Sequence, residues 1–385
     1  MTQNKNDRPK GYIDYTLIFI LILLLGFGLV MVYSTSSYSA SISKASNNDP
    51  NFYLRKQAIA TVFGAIAMAG MAIIPYHFWE RYGALAYLVA GILVLLVLTP
   101  LGMELNGARR WLNLGVSVQP AEIAKLAMIL FLAAFVNRMG QGIRSRRGFW
   151  VVLGAPIPMC LLVWKITDNL SSAIIIFGIS FLMLFVASPE YKKFVAFMAT
   201  VAIGAGLVVF MIVQMSNSAL FGFRGARVRA WLNPEEYSSS TGYQTLQALY
   251  AIGSGGTFGK GLGQSTQKLG FIPEAQNDMI FSIICEELGI FGGVCILLLF
   301  MLLLWRLLVI ANNAPDLYGG LLVVGIMGHI AIQVILNVAV VTNLIPNTGI
   351  SLPFISYGGS SVMFLMMEMG LVFSVSRKIV FKDDN

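Results

Sequence analysis

Charge is what this 385-residue chain has least of: Asp, Glu, Lys and Arg together make up 11% of it, while 57% is hydrophobic. Soluble domains carry roughly 25% charged residues, so an ordinary water-facing surface cannot be built from this composition, and a soluble globular class is excluded. Histidine is scarcer still, with only His77 and His329, and the three cysteines Cys160, Cys285 and Cys295 all fall inside apolar runs. A structural zinc centre draws four such ligands together, and a disulfide needs two facing thiols, so neither is expected. The cysteines read as packing residues, and His329, alone on an apolar helix, reads as a hydrogen-bonded core residue. No soluble domain, low-complexity linker or clear internal repeat interrupts the sequence, which reads as one membrane domain over 1–385.

What the chain does have is long hydrophobic runs, at about 14–33, 57–75, 83–100, 119–136, 149–166, 171–187, 194–214, 279–305, 318–341 and 358–376. Each approaches or exceeds the ~20 residues that cross a ~30 Å hydrocarbon core as a helix. The expected fold class is therefore all-α and integral to the membrane: a polytopic bundle of about ten transmembrane helices, with a large extracellular loop, 215–278, between helices seven and eight. The first run follows Lys5, Arg8 and Lys10 as a signal peptide would. It outlasts the roughly 7–15 residues of such a segment, so it is read as a retained helix.

Basic residues in short loops orient such a bundle. Arg81, the cluster Arg138, Arg144, Arg146 and Arg147, Lys192 with Lys193, Arg306, and Arg377, Lys378 and Lys382 fall on one side if the N-terminus is cytoplasmic. Both tails, 1–13 and 377–385, are then cytoplasmic, and the 106–118 and 216–277 loops are outside. The net charge of +8 becomes a topology signal and a contact with anionic membrane lipids. No nucleic-acid module is visible, so nucleic acid is not an expected partner.

Four outer segments are too polar, or too rich in glycine and proline, for plain connectors: 106–125, 223–234, 243–289 and 343–361. The last places Pro346, Pro353, Gly358 and Gly359 near membrane depth, where irregular backbone survives only buried in protein or lining a water-filled cavity. Arg109 and Arg110 depart from the basic-inside pattern, and either reach lipid headgroups or bind an anionic ligand. Arg224, Arg227 and Arg229 lie among apolar residues in an expected interfacial helix, as a membrane anchor or a phosphate contact. Glu122 and Lys125 share a helix face, and either neutralise each other or line a cavity; Glu286, Glu287 and Glu368 are alternative partners for Lys125.

Segment 243–289 carries Asp278 to the mouth of an apolar helix, where a carboxylate at the bilayer centre would cost ~2.5–3.5 kcal/mol on insertion scales. A function is sought there first, the bland alternative being a helix N-cap. Its glycines, Gly253, Gly255, Gly256, Gly259, Gly261 and Gly263, suggest a nucleotide loop, but Ser254 stands where the Walker pattern needs its first glycine, and Gly261 where Ser or Thr must follow Lys260. Nucleotide hydrolysis is not expected; the glycines supply positive-φ turns and close backbone packing, with Lys260 and Lys268 as candidate phosphate contacts.

Read together, GLVMVYSTSS, NFYLRKQ, NGARRWL with QPAEIAK, GYQTLQALYAIGSGGTFGKGLGQSTQK, PEAQNDMIFSIICEELG and TGISLPFISYGGSS resemble the SEDS family (shape, elongation, division and sporulation) nearly end to end. Their wording is nearer the cell-division branch than the elongation branch, and the sporulation branch is close as well. The resemblance implies a multi-pass protein of the bacterial plasma membrane, at the division septum, that polymerises lipid II into peptidoglycan. The hydroxyl of one lipid-linked disaccharide attacks the anomeric carbon of another and expels undecaprenyl pyrophosphate. It implies Asp278 as the essential carboxylate and general base, with Arg109, Arg110, Lys260 and Lys268 at the pyrophosphate. Glu122 and Lys125 shape the cavity, and Ser356 and Tyr357 are further substrate contacts. No protein-bound metal site and no certain cofactor is expected, though a divalent cation, Mg or Mn, would suit the leaving group. Implied partners are a class B penicillin-binding protein with transpeptidase activity, and other divisome membrane proteins. One position departs from the family pattern: Asn169 stands where an aspartate is usual, so a catalytic or metal role there is in doubt and a hydrogen-bonding role is what survives. A lipid II flippase and a non-catalytic septal scaffold are the rival readings of the same charges.

Overall fold

The computed structural model describes residues 14–105, 108–113, 115, 117–188, 191–214, 222–240 and 242–379. The expected tails 1–13 and 380–385, the pair Asn106 and Gly107, and 215–221 lie outside the described residues. Among the described residues, ten helical spans are long and apolar enough to cross a membrane. They are α1 (Tyr15–Ile42), α2 (Phe52–Ile73), α3 (Tyr76–Leu96), α4 (Pro120–Met139), α5 (Arg146–Gly154) continued by α6 (Ile157–Ile166), α7 (Leu170–Ala187), α8 (Tyr191–Gln214), then α11 (Ile280–Asn312), α12 (Leu317–Val341) and α13 (Gly359–Ser376). Two further helices, α9 (Gly222–Leu232) and α10 (Tyr243–Gly255), lie between α8 and α11.

Local chemistry accounts for the places where the helices differ from the apolar runs. Helix α1 continues past its last aliphatic residues because Thr35 and Ser36 donate their hydroxyls to the carbonyls of Met31 and Val32, at 2.8 and 2.6 Å, keeping those polar side chains satisfied inside the helix. The run at 149–166 is broken at Pro156, which has no N–H to give, and Tyr87 donates its hydroxyl to the neighbouring Ala155 carbonyl at 3.3 Å.

The ten spans make the expected all-α membrane bundle, and between α3 and α4 the structure adds one small feature that the sequence reading left as loop. Three short antiparallel strands, β1 (Gly102–Leu105), β2 (Ala108–Asn113) and β3 (Ser117–Val118), form a sheet in the order β1-β2-β3. Leu112 is its buried anchor, paired with Gly102 on one side and Val118 on the other. The rest of the described chain is mostly helical.

Helices α4, α12 and α13 occupy the centre, with 61%, 67% and 72% of their spans buried, against 17% for α2 and α3 and 6% for α8. A polar group in that centre must find a partner inside the protein. Lys125 and Glu122 pair at 2.8 Å, with Ser361 donating to the second Glu122 oxygen at 3.3 Å. His329 Nδ1 lies 2.8 Å from Glu368, so His329 is the hydrogen-bonded core residue its apolar setting suggests. Lys125 therefore takes its partner from its own helix, and Glu286, Glu287 and Glu368 are engaged elsewhere. Of the cysteines, Cys285 is buried and Cys160 half-buried, whereas Cys295 is exposed, which corrects its packing role.

The two ends of the bundle are built differently. One end ties α1 to α11 through Asp14 and Arg306 at 2.5 Å, α3 to α12 through Tyr76 and Asp316 at 2.5 Å, and α13 to α2 through Arg377 and the Ala72 carbonyl at 3.0 Å. The other end carries the sheet, α9, α10 and the irregular segments around Asp278 and 342–358.

Candidate active site

Asp278 sits in a run of turns just before α11, with Met279 at the cap position, so its side chain is not the N-cap that the sequence allowed. Its carboxylate is half-buried and lies among amides. Gln244, on the first turn of α10, donates from Nε2 to Oδ1 at 3.4 Å; Asn347 donates to the Gln244 carbonyl oxygen at 3.0 Å; and Arg227 of α9 donates to the Asn347 backbone carbonyl at 3.0 Å. Three separate stretches of chain thus converge on one acid. Burial, helped by the charge of Glu274, pushes the Asp278 carboxyl up to about 6, against the downward pull of a hydrogen bond from its own backbone, of Arg227 and of Gln244. A carboxyl poised there is ionised at neutral pH and basic enough to accept a proton.

The irregular 342–358 segment forms the wall beside it. A Cβ on Gly349, where φ is +67°, would lie 3.8 Å from Asp278 Oδ2. The Tyr357 N–H donates to the Gln276 carbonyl at 2.9 Å, and the Tyr357 ring meets Tyr53 edge-on at 5.0 Å, so this predicted contact residue stands at the rim. Ser356 is different: its hydroxyl accepts from the Leu352 N–H at 2.8 Å and is only 3% exposed, which makes it a turn-closing group. Helix α9 docks on the same segment, Trp231 donating to the Asn343 carbonyl at 3.0 Å.

The other predicted contacts are dispersed. Arg110 reaches from β2 to the carbonyls of Thr167 and Asp168 at 3.1 and 2.9 Å, and Arg109 donates to the Thr99 carbonyl at 2.6 Å. Arg110 is connected to the rim indirectly, because Ser171, at the start of α7, donates to the Thr348 carbonyl at 2.6 Å. Asn169 caps α7, its side-chain oxygen accepting from the Ser172 N–H at 3.0 Å, a hydrogen-bonding role that needs no charge. Glu122, on the first turn of α4, and Lys125 pair with each other, and Glu122 accepts from Ser361, just beyond the irregular wall.

Lys260 and Lys268 have partners other than a phosphate. Lys260 Nζ is 2.6 Å from Glu286 and Lys268 Nζ is 2.7 Å from Glu287, both acids fully buried. Glu286 also accepts from the Ser265 hydroxyl, and from Thr266 N at 3.1 Å and Thr266 Oγ1 at 2.9 Å; Ser34 donates to Glu287 at 2.8 Å. The glycines of the loop explain how it gets so close. Helix α11 is interrupted at Gly289, φ +72°, about 14 Å along its axis from Ile280. The carbonyls of Glu286 and Glu287 accept from Lys260 N and Gly261 N at 3.0 and 2.9 Å, while Ile290 N and Phe291 N donate to Gly256 and Thr257 at 3.0 and 3.1 Å. A Cβ on Gly259 or Gly289 would overlap the opposing backbone, so this exchange is open only to glycine.

Gln244, Asn347 and Arg227 are the rim residues that the reading of acids and bases passed over or left undecided. The amides carry no charge and no periodic signal; the sole clue is that each lies in one of the polar outer segments. Among the described residues, no three His, Cys, Asp or Glu side chains converge to hold a metal ion. At the rim the second carboxylate, Glu274, already accepts from Asn277 at 2.8 Å.

The chain matches the family model described as cell cycle protein, which covers FtsW, RodA and SpoVE, over residues 15–380. It belongs to that family. It is 43% identical over 367 residues to stage V sporulation protein E of Bacillus subtilis (94% of this chain, 97% of that one). A probable peptidoglycan glycosyltransferase FtsW of Trichlorobacter lovleyi is 35% identical over 368 residues (94% and 93%). Among solved structures, one reported for the structural coordination of polymerization and crosslinking by a peptidoglycan synthase complex superposes with a TM-score of 0.78 at 26% identity (95% and 98% covered). The fold is that of this structural relative.

Proposed function

We propose that this chain is a peptidoglycan glycosyltransferase that polymerises lipid II at the membrane surface bearing Asp278, the outer face, with both tails cytoplasmic. The observation that carries the reading is the setting of Asp278: a half-buried carboxyl pushed up to about 6, with the Gln244 amide as its side-chain donor, beside acids that are locked to lysines. As the 4-hydroxyl of the acceptor sugar forms its bond to the donor anomeric carbon, Asp278 takes the proton. The bond from that carbon to the pyrophosphate oxygen breaks, and undecaprenyl pyrophosphate leaves with the bonding pair. Arg227 is the rim cation best placed to stabilise that charge, with Arg109 and Arg110 on β2 as further contacts. Tyr357 borders the sugars, and Glu122 with Lys125 holds the shape of the bundle beneath. Asp278 is the rim carboxylate that would hold a divalent cation, which would supply positive charge for the leaving group. A class B penicillin-binding protein is the fitting partner, since a structural relative is described as coordinating polymerization and crosslinking within a complex.

The test is polymerisation of lipid II by detergent-purified protein, alone and with its partner, where no membrane separates substrate from product. Asp278→Asn should lower the rate by about 10²–10⁴-fold, the usual contribution of a general base. Unimpaired polymerisation by this variant would overturn the assignment. Transport of lipid II in vesicles without polymer in micelles would favour a flippase, and viability on Asp278→Asn alone would favour a scaffold.

The segment wording favours cell division, while the 43% identity to a sporulation protein favours a second reading, a role in spore formation. A fluorescent fusion found at septa of growing cells supports the first, and one found only in sporulating cells the second.

A further inference from the structure

Asn337 is fully buried in α12, 59 residues from Asp278 in sequence, and its side chain touches the Asp278 backbone. Its Nδ2 donates both hydrogens at 2.7 Å, one to the Asp278 carbonyl and one to the Ile350 carbonyl. The two carbonyls come from the segment that delivers the acid and from the wall beside it, since Gly349 faces Asp278 Oδ2. One amide therefore fixes the distance between the acid's backbone and the surface on which its carboxylate rests. Double donation also settles which amide atom is which: Oδ1 points away and has no partner among the described residues.

We propose that Asn337 is a positioning residue for glycosyl transfer, a buried clamp that holds the Asp278 carboxylate at the acceptor hydroxyl; the inference rests on the reading of Asp278 as the base. Asn337 touches no reacting atom and acts through Asp278. The bland alternative is that Asn337 only satisfies two carbonyls inside an apolar bundle, where unpaired backbone groups are costly. The two differ in what they do to the reaction. A displaced base loses rate and changes its proton affinity, whereas a loosened bundle loses folded protein and leaves the pH profile of what survives unchanged.

The experiment compares full-length Asn337→Leu, similar in bulk but without donors, with the parent chain in the micelle assay across pH, and measures melting in the same detergent. A misplacement of about 1 Å can cost ~10²-fold in rate, so kcat should fall about 10–100-fold. KM for lipid II should hold within about threefold, because only uniform binding sets it independently of kcat. The acid limb of the rate profile should move from its parental position. Asn337→Ser, which keeps one donor, serves if the leucine chain is not recovered folded, and should lose less. An unchanged kcat and pH profile, or a rate loss that only follows the loss of folded protein, overturns the clamp. Asp278→Asn run alongside keeps the readings apart: if it polymerises normally the base assignment falls, and if it is inactive while Asn337→Leu is normal, only the clamp does.

Discussion

Asp278 and the pair Glu286–Glu287 lie within one short stretch of chain, yet the structure treats them in opposite ways. Each glutamate is fully buried against a lysine from the glycine loop, with serine and threonine donors around it, so their charge is committed to holding that loop on the interrupted α11. Asp278 is half-buried, its hydrogen-bond donor is an amide, and its carboxyl is pushed up to about 6. The difference teaches that acids in a membrane protein separate by the company they keep. A fully paired acid is architecture, and an acid held by neutral donors at the edge of water is available for proton transfer.

The sharpest way to break this comparison from the structural side is to remove one lysine. Lys268→Met leaves Glu287 buried without its cation, and breaking a buried pair in this way typically costs about 3–5 kcal/mol. Melting of the purified protein should fall steeply. The double variant Lys268→Met with Glu287→Leu should recover most of the loss, because it removes the stranded charge as well. A single variant that melts like the parent would show that the loop is held by its backbone exchange alone.

Next in size is that backbone exchange. Gly289→Ala forces a Cβ into the Thr257 carbonyl and an unfavourable positive φ, which together should cost about 1–3 kcal/mol. The same change at Gly204 of α8, where a Cβ meets nothing, should be neutral or slightly stabilising, because alanine is the better helix former. Equal melting of the two variants would remove the steric explanation for the loop glycines.

How much of this was legible in the sequence follows from which signals are local. The ten spans were readable because hydrocarbon thickness sets a length that a run of apolar residues either meets or does not. The loop glycines and Asp278 were readable as out of place, and the resemblance supplied the role proposed for Asp278. The partners of Lys260, Lys268 and Glu368 were not readable, because pairing joins a loop to a helix or one helix to another. Residues 106–118 read as a loop, and 102–105 were assigned to nothing, because strands this short carry no usable period. Asn337 and Gln244 were invisible for a third reason: an amide becomes informative only when its neighbours are known.

The smallest expected effects test the rim itself, through the pH dependence of polymerisation. The proposed base, Asp278, accepts a proton only when ionised, so the rate should rise as pH climbs through about 6 and level off above. Gln244→Leu removes a hydrogen bond that favours the ionised form, so the proton is held more tightly and the acid limb should move to higher pH by a fraction of a unit. Glu274→Gln removes a negative charge that opposes ionisation, so the same limb should move to lower pH, and less at high salt, because that charge is exposed to water. The two variants thus carry opposite signs on one measured quantity. If both move the limb the same way, or neither moves it, the group that titrates in the rate is not Asp278, and the contrast between a free acid and two engaged ones loses its functional half.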